Sequence, residues 1–277
     1  LFGGGIPVFA KIGLKEIPPF IFTFLRFFIA SIFLLPLFLR TKAVINKGIY
    51  KVILISFLGT INVTLFAFGI RLTTATVGQV LYAAVPLLAV LFSRIILKEK
   101  MTLKKLLGIG LGFLGVSLII FLPVINQTSS LKTGLLGNLL IFAAVVSFSL
   151  YSVLSKKIQQ QYSPIYLTTI FSLTTVMALF ILSIPELKSN PDFFRNLSLG
   201  AAFSVLYIGL FGSVVYYLLY QYAIKHGTPV VASLTMFLQP TATFVRAFLL
   251  LGEHLTPGII IGTVLAFTGI VITTKKN

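Results

Sequence analysis

The stretch 81-LYAAVPLLAVLFSRIILKEKMT-102 decides the fold, because the chain writes it twice. In 235-TMFLQPTATFVRAFLLLGEHLT-256 a proline, Pro240, again stands thirteen residues before a glutamate, Glu253, as Pro86 stands before Glu99. Only 5 of the 277 residues are acidic, so the recurrence is not an accident of composition. Displacing the chain by 154 residues aligns 70–120 with 224–274 without a gap, and eleven of the 51 pairs are identical. Matches among Leu, Ile and Val are cheap in apolar sequence. Those of Pro86 with Pro240, Glu99 with Glu253, Thr102 with Thr256, Gly108 with Gly262 and Gly115 with Gly269 are not. A weaker match, displaced by 146, sets 2-FGGGIPVFAKIGLKEIPP-19 against 148-FSLYSVLSKKIQQQYSPI-165 through Phe2, Lys11, Ile12 and Pro18. The chain therefore reads as two repeats, 1–124 and 125–277.

The solvent of those repeats is lipid. Hydrophobic residues make up 57% of the chain and charged ones 10%, with a mean hydropathy of +1.06. A soluble domain carries about 25% charged residues, and a water-facing surface cannot be built from so few. A bilayer core takes about 20 apolar residues per helix. Apolar runs between polar breaks fall near 1–14, 18–39, 52–70, 76–97, 105–124, 135–154, 164–185, 198–222, 228–250 and 258–274. Their length argues helices rather than barrel strands, which alternate over about 10 residues. The expected fold is an all-α integral membrane protein of ten transmembrane helices. The first run is short and begins without Met, so the start of the first helix is expected to be missing, and no signal peptide is expected.

Net charge +17 in a soluble protein would suggest nucleic acid. Here the Lys and Arg sit in short connectors, so no nucleic-acid partner is expected; the partner is the bilayer. Thirteen basic residues lie in one set of connectors (Arg40, Lys42, Lys47, Lys51, Lys98, Lys100, Lys104, Lys105, Lys156, Lys157, Lys225, Lys275, Lys276) and six in the alternate set (Lys11, Lys15, Arg71, Lys132, Lys188, Arg195). The positive-inside rule puts both termini in the cytoplasm. Because each repeat holds five spans, the second copy is inverted, with Glu99 at the cytoplasmic edge and Glu253 at the outer one. Inverted repeats about an axis in the membrane plane mark transporters, whose two halves form equivalent inward-open and outward-open states.

The stretch 224-IKHGTPVVASLTMFLQPTATFVRAFLLLGEHLTPGIIIGTVLAFTGIVI-272 resembles the second repeat of the EamA-type transporters of the drug/metabolite transporter superfamily. It has the short turn before a small-residue helix, the mid-helix proline, the terminal Gly-Glu, and a Thr before a Gly-rich last helix. The first repeat fits through 23-TFLRFFIA-30, Pro86, Glu99 and Gly108. Lys98 departs from the pattern where Gly252 keeps it, and the tryptophan usual in the family's first helix is missing, with Phe2 near its place. The resemblance implies ten helices around a central cavity, the first four of each repeat lining it and the fifth packing outside. It also implies export of amino acids, metabolites, nucleotide sugars or drugs, depending on subgroup.

Arg26 is the strongest single feature. Counted from Pro18 it lies about 12 Å along its helix, where an arginine costs at least about 2.5–3.5 kcal/mol on insertion scales. It must face a cavity or a partner: carbonyls, hydroxyls or water in a structural role, or a substrate anion. Asn62, Gln79, Tyr82, Ser147, Tyr151, Ser172, Tyr216, Tyr217, Tyr220 and Gln239 are the other candidates for the cavity wall, since polar groups in lipid turn inward. Singly each reads as an interhelical hydrogen bond. Together their amide and phenol mix suits an amphipathic, amino-acid-like solute. Arg94 and Arg246 lie near helix ends, where snorkelling explains them. Pro86 and Pro240 would free the carbonyls of Tyr82 and Met236 and serve as hinges. Glu99 and Glu253 are expected as structural caps at helix ends, Glu99 accepting from Thr102 or the next helix's amides.

Two motifs mislead. Gly110, Gly112 and Gly115 spell a dinucleotide fingerprint, but inside an apolar span, where helix packing explains them better. Asn126 and Asn196 head glycosylation triplets that matter only in a eukaryotic secretory membrane. With His226 and His254 in connectors, no deep carboxylate and no cysteine, neither an enzyme, a metal nor a cofactor is expected. The expectation is a carrier working by alternating access in a bacterial or archaeal cytoplasmic membrane. It is facilitated or exchanging rather than tightly proton-coupled, and complete as a monomer though compatible with a dimer. A passive channel or scaffold is the alternative.

Overall fold

The structure, a computed structural model, describes residues 2–41, 48–98, 102–125, 131–191, 194–195, 197–237 and 239–274. Glu99, Asn126 and Asn196 lie outside the described residues. Among the described residues there is no strand. After a 3-10 turn at Gly3–Gly5, the helices are α1 (Ile6–Gly13), α2 (Pro19–Arg40), α3 (Ile49–Leu72), α4 (Ala75–Ile96), α5 (Leu103–Ile125), α6 (Leu131–Ile158), α7 (Pro164–Ser189), α8 (Leu199–His226), α9 (Pro229–Leu251) and α10 (Pro257–Thr274). Nine of these are long and apolar enough to cross a membrane; α1, with 8 residues, is not. Their outward faces carry large apolar side chains such as Leu103, Met177 and Leu249, each at least 70% exposed. In lipid that exposure carries no hydrophobic penalty, and helices are the structures that satisfy their own backbone there.

The pairing of helices follows the repeat. Helix α3 packs on α6, as α8 packs on α1; α3 packs on α7, as α2 packs on α8; α2 meets α7, and α5 meets α10. The first half of α4 lies against the second half of α9, and the second half of α4 against the first half of α9. The α5–α10 seam shows the relation atom by atom. A Cβ on Gly108 would stand 2.6 Å from the Gly269 carbonyl, and one on Gly269 2.5 Å from the Gly108 carbonyl. A Cβ on Gly115 would stand 2.5 Å from the Gly262 carbonyl. Since Gly108 corresponds to Gly262 and Gly115 to Gly269, each glycine meets the counterpart of the other, which is what a two-fold axis between two antiparallel helices produces. Close approach, not nucleotide binding, explains Gly115. Gly112 faces the Leu87 side chain.

The first two helices of the repeats correspond one residue away from the sequence alignment. Lys11 Nζ donates to the carbonyls of Ile70 (3.3 Å) and Thr73 at the end of α3. Its counterpart at the end of α8 is Lys156, whose Nζ donates to Ile224 (3.0 Å), Lys225 (3.1 Å) and Gly227 (2.7 Å). The aligned Lys157 is exposed. Likewise Pro19 and Pro164 both open helices, and Thr23 and Thr168 each donate to that proline's carbonyl at 2.8 Å. The displacement is therefore 145, and the Pro18–Pro164 identity was a coincidence of neighbouring prolines.

Neither Pro86 nor Pro240 kinks a continuous helix. Helix α4 stops at Tyr82 and restarts at Val85, and α9 passes through a 3-10 turn at Thr235–Phe237 before restarting at Gln239. Each proline is the second residue of the new segment, where its missing N–H has no helical partner to lose. At the other end of these helices Lys98 has φ 57° and Gly252 has φ 65°. The left-handed turn is thus common to both repeats, and Lys98 adopts it without glycine's freedom.

Carboxylates hold helix starts. Glu253 accepts from the amides of Ala75 (2.8 Å) and Thr76 (2.9 Å) at the start of α4, Glu186 from Ile21 (3.0 Å) in the first turn of α2, and Glu16 from the amide (2.8 Å) and hydroxyl (2.7 Å) of Ser198, which opens α8. Every described carboxylate serves the positive end of a helix belonging to another part of the chain. Glu253 thus caps a helix, but across the repeat boundary; Thr256 performs the local cap, accepting from Ile259 at 3.4 Å.

Candidate functional site

A cavity lies where these breaks and crossings meet. Arg26 of α2, Asn62 of α3, Gln79 and Tyr82 of α4, Tyr216 and Tyr217 of α8, and Gln239 of α9 line it, with Gly3, Phe148 and Met236 among their neighbours. Four pairs of these positions correspond through the repeats: Asn62 with Tyr216, Val63 with Tyr217, Tyr82 with Met236, and Gly3 with Phe148. The wall is thus drawn in part from corresponding positions, with different chemistry at each, while Arg26, Gln79 and Gln239 have no counterpart in it. The space open to the centre of a water molecule is about 50 Å³, enough for a few waters at about 10–15 Å³ each.

Arg26 is 3% exposed. Its Nε donates to Ser213 Oγ at 3.0 Å, and the guanidinium stands 5.0 Å from the Phe27 ring centroid. Ser213 is absent from the sequence-level candidates. It lies in Ile208–Val215, a π-helical stretch of α8 that widens the helix and turns Ser213 toward α2. Such bulges recur at functional sites. Gly209 permits the approach, since a Cβ there would meet Ile29 at 3.0 Å and the Arg26 carbonyl at 3.2 Å.

The amides form two hydrogen-bonded groups in the cavity wall. Asn62 Nδ2 donates to Tyr82 Oη (2.6 Å) and the Ala144 carbonyl (2.8 Å). Gln79 Nε2 donates to Gln239 Oε1 (3.3 Å), Gln239 Nε2 to Tyr216 Oη (3.5 Å), and Thr243 Oγ1 to Gln79 Oε1 (3.3 Å) and the Gly4 carbonyl (2.7 Å). The Gln79–Gln239, Gln239–Tyr216 and Thr243–Gln79 contacts, at 3.3–3.5 Å, are long for hydrogen bonds between such groups, so they hold the helix breaks of α4 and α9 together weakly. An aromatic wall backs them: Phe171 and Tyr217 centroids are 5.0 Å apart, Phe148 and Tyr220 5.0 Å, and Phe66 meets Tyr82 edge-on at 5.5 Å.

Four candidates stand outside the cavity lining. Ser147 donates to the Leu58 carbonyl (2.7 Å), tying α6 to α3. Ser172 bonds Ser31 (2.9 Å) and the Phe27 carbonyl (3.2 Å), tying α7 to α2. Tyr151 accepts from Gln221 Nε2 at 2.7 Å, and Gln221 accepts in turn from Gln159 at 2.6 Å. Tyr220 shares a hydrogen bond with Ser152 (3.1 Å) and lines a neighbouring groove. Arg246 donates to the Ala242 carbonyl at 3.1 Å, and Arg94 is exposed.

That groove, between α8 and α9, has about 310 Å³ open to water centres and is lined by Phe2, Phe211, Val215, Leu219 and Ala223 among others. It shares Gly3, Tyr216 and Gln239 with the Arg26 cavity. The Tyr216–Gln239 contact is the partition between the two.

Known proteins resemble this architecture. Residues 1–121 and 135–275 match the EamA-like transporter family. The chain is 28% identical over 250 residues to the uncharacterized transporter YyaM of Bacillus subtilis (strain 168), covering 88% of this chain and 81% of that one. It is 29% identical to an uncharacterized transporter of Archaeoglobus fulgidus, covering 100% of this chain and 95% of that one. A solved crystal structure superposes with a TM-score of 0.67 at 16% identity, covering 99% of this chain and 96% of the other, which speaks to the fold alone. The chain belongs to the EamA-like transporter family and is an integral membrane transporter.

Proposed function

We propose that this chain is a secondary transporter carrying a small amphipathic metabolite, of about the size of an amino acid, by alternating access of two inverted halves. The observation that carries this reading is the cavity walled by corresponding positions of both repeats, at the crossing of two helices that are each interrupted there. Two similar halves of opposite orientation supply two states of similar energy, each open to one side. In this reading ten helices span a bacterial or archaeal cytoplasmic membrane with both termini inside, and Pro86 and Pro240 keep the breaks of α4 and α9 open as hinges. One chain supplies the wall of the cavity, so a monomer suffices. The chain acts without catalysis or cofactor, and movement down a gradient, or exchange, suits a cavity with no carboxylate among the described residues of its wall. Export follows from the resemblance alone.

Counterflow in liposomes tests it. Purified protein should accelerate exchange of a labelled solute against unlabelled solute, with saturation. Conductance that never saturates would replace the carrier by a channel. Pro86→Ala with Pro240→Ala should slow exchange more than it lowers melting temperature; unchanged turnover would remove the hinge role.

A further inference from the structure

Among the described residues that line it, the cavity holds one formal charge, and it is positive. Arginine stays protonated in proteins, so Arg26 is a cation at 3% exposure. Among the described residues its guanidinium has one hydrogen bond, from Nε to a neutral hydroxyl; the four Nη hydrogens have no protein acceptor there, and since neither Nη is among the fully buried polar atoms without a partner, they open on the cavity. No Asp or Glu is among the described residues that line the cavity. The described carboxylates, Glu16, Glu186 and Glu253, are each engaged at a helix start. Buried charges are matched by opposite charge or they destabilise the site, and the planar fork of arginine matches a carboxylate with two parallel hydrogen bonds.

We infer that the solute is an amphipathic organic anion, a carboxylate on an apolar body with no cationic group, whose anionic end pairs with Arg26. The inference rests on the transporter reading of the same cavity and narrows it. An α-ammonium would sit beside a guanidinium in a wall whose described residues offer it no carboxylate, and like charges in a low-dielectric site repel strongly. The zwitterionic amino acid is thereby disfavoured against its deaminated analogue. The apolar body has a place to go. The groove between α8 and α9 is lined by Phe2, Phe211, Val215 and Leu219 and abuts the cavity, with Gly3, Tyr216 and Gln239 common to both walls. Its volume of about 310 Å³ is that of a small-molecule site, which the Arg26 cavity alone is not.

The test compares solutes that differ by one group: 3-phenylpropanoate, 3-phenylpropanamide, phenylalanine and phenethylamine, with a series of carboxylates from butanoate upward. Binding is read by thermal shift of the purified full chain, and exchange by counterflow in liposomes. The carboxylates should bind at least about tenfold more tightly than the amide or phenylalanine, as expected of a charge-assisted pair lost or opposed. Arg26→Gln should remove that preference, and Arg26→Lys should keep part of it; should Arg26→Gln fail to fold, the wild-type comparison decides alone. A carboxylate series without saturable binding, or binding of the amide or phenylalanine as tight as that of the acid, overturns the inference. Exchange of phenylalanine or phenethylamine with none of the acids overturns it too, and leaves the transporter standing. Tight carboxylate binding without exchange supports the anion site and removes the alternating-access carrier reading.

Discussion

Arg26 and Ser213 lie 187 positions apart and share one hydrogen bond, Nε to Oγ at 3.0 Å, buried between α2 and α8. Removing the hydroxyl leaves a charged N–H buried without an acceptor, which costs about 1–3 kcal/mol. Ser213→Ala should therefore lower the unfolding free energy in detergent by about 2 kcal/mol, while Ser213→Thr stays within about 0.5 kcal/mol. Equal stability of the alanine variant would mean that the guanidinium is anchored elsewhere.

Adjacent lysines on α6 should behave differently. Lys156 donates to three carbonyls at the end of α8, whereas Lys157 is exposed. Hydrogen bonds from a charged donor are worth about 1.5–3 kcal/mol, so Lys156→Met should destabilise by about 2 kcal/mol. Lys157→Met should change stability by less than about 0.5 kcal/mol. The reverse ranking would restore the displacement of 146 between the repeats.

The left-handed turn after α4 and α9 gives opposite predictions at corresponding positions. Lys98, at φ 57°, should gain about 1 kcal/mol on becoming glycine, and Gly252, at φ 65°, should lose about 1 kcal/mol on becoming alanine. Thermal unfolding of the two variants measures both signs at once.

Glycines on α5 separate by what they face. A Cβ on Gly115 meets backbone of α10 at 2.5 Å, while nothing lies within 4 Å of one on Gly110. Gly115→Val should cost about 3 kcal/mol through displacement of α10, and Gly110→Val less than about 1 kcal/mol. Comparable losses would show that α5 does not bear on α10 through Gly115.

Acid should weaken the start of α8. The Ser198 amide, then its hydroxyl, hold the Glu16 carboxyl below its ordinary pKa. A carboxyl whose folded pKa lies below the unfolded value, about 4.3, adds stability above the unfolded value and loses it as pH falls through the folded one. The melting temperature of wild type should exceed that of Glu16→Gln by a constant margin above about pH 5, and the margin should close as pH drops below about 4. A margin unchanged down to pH 3 would assign the effect to geometry rather than charge.

Much of this was legible in the chain. Run length and charge deficit dictate membrane helices because lipid leaves the backbone no other partner. The recurrence of Pro86, Glu99, Gly108 and Gly115 as Pro240, Glu253, Gly262 and Gly269 exposes the repeat because those residues do backbone work that Leu and Ile cannot. Arg26 was conspicuous for its depth alone. Of the polar candidates, Asn62, Gln79, Tyr82, Tyr216, Tyr217 and Gln239 share the cavity wall with Arg26, whereas Ser147, Ser172, Tyr151 and Tyr220 tie helices together nearby. Composition cannot tell these sets apart, since a hydroxyl satisfied by a neighbouring helix and one turned to a cavity are the same letter.

By itself, then, the sequence determined the solvent, the helices, the repeat and the buried cation, all of which follow from local chemistry and period. Tertiary structure alone decided which groups answer one another. Glu253 reaches back to the amides of Ala75 and Thr76, Lys156 rather than Lys157 closes α8, and a π-helical stretch brings Ser213 to Arg26. Each of these contacts joins residues some seventy to nearly two hundred positions apart, and no local pattern encodes a partner that only the packing of ten helices brings within 3 Å or so.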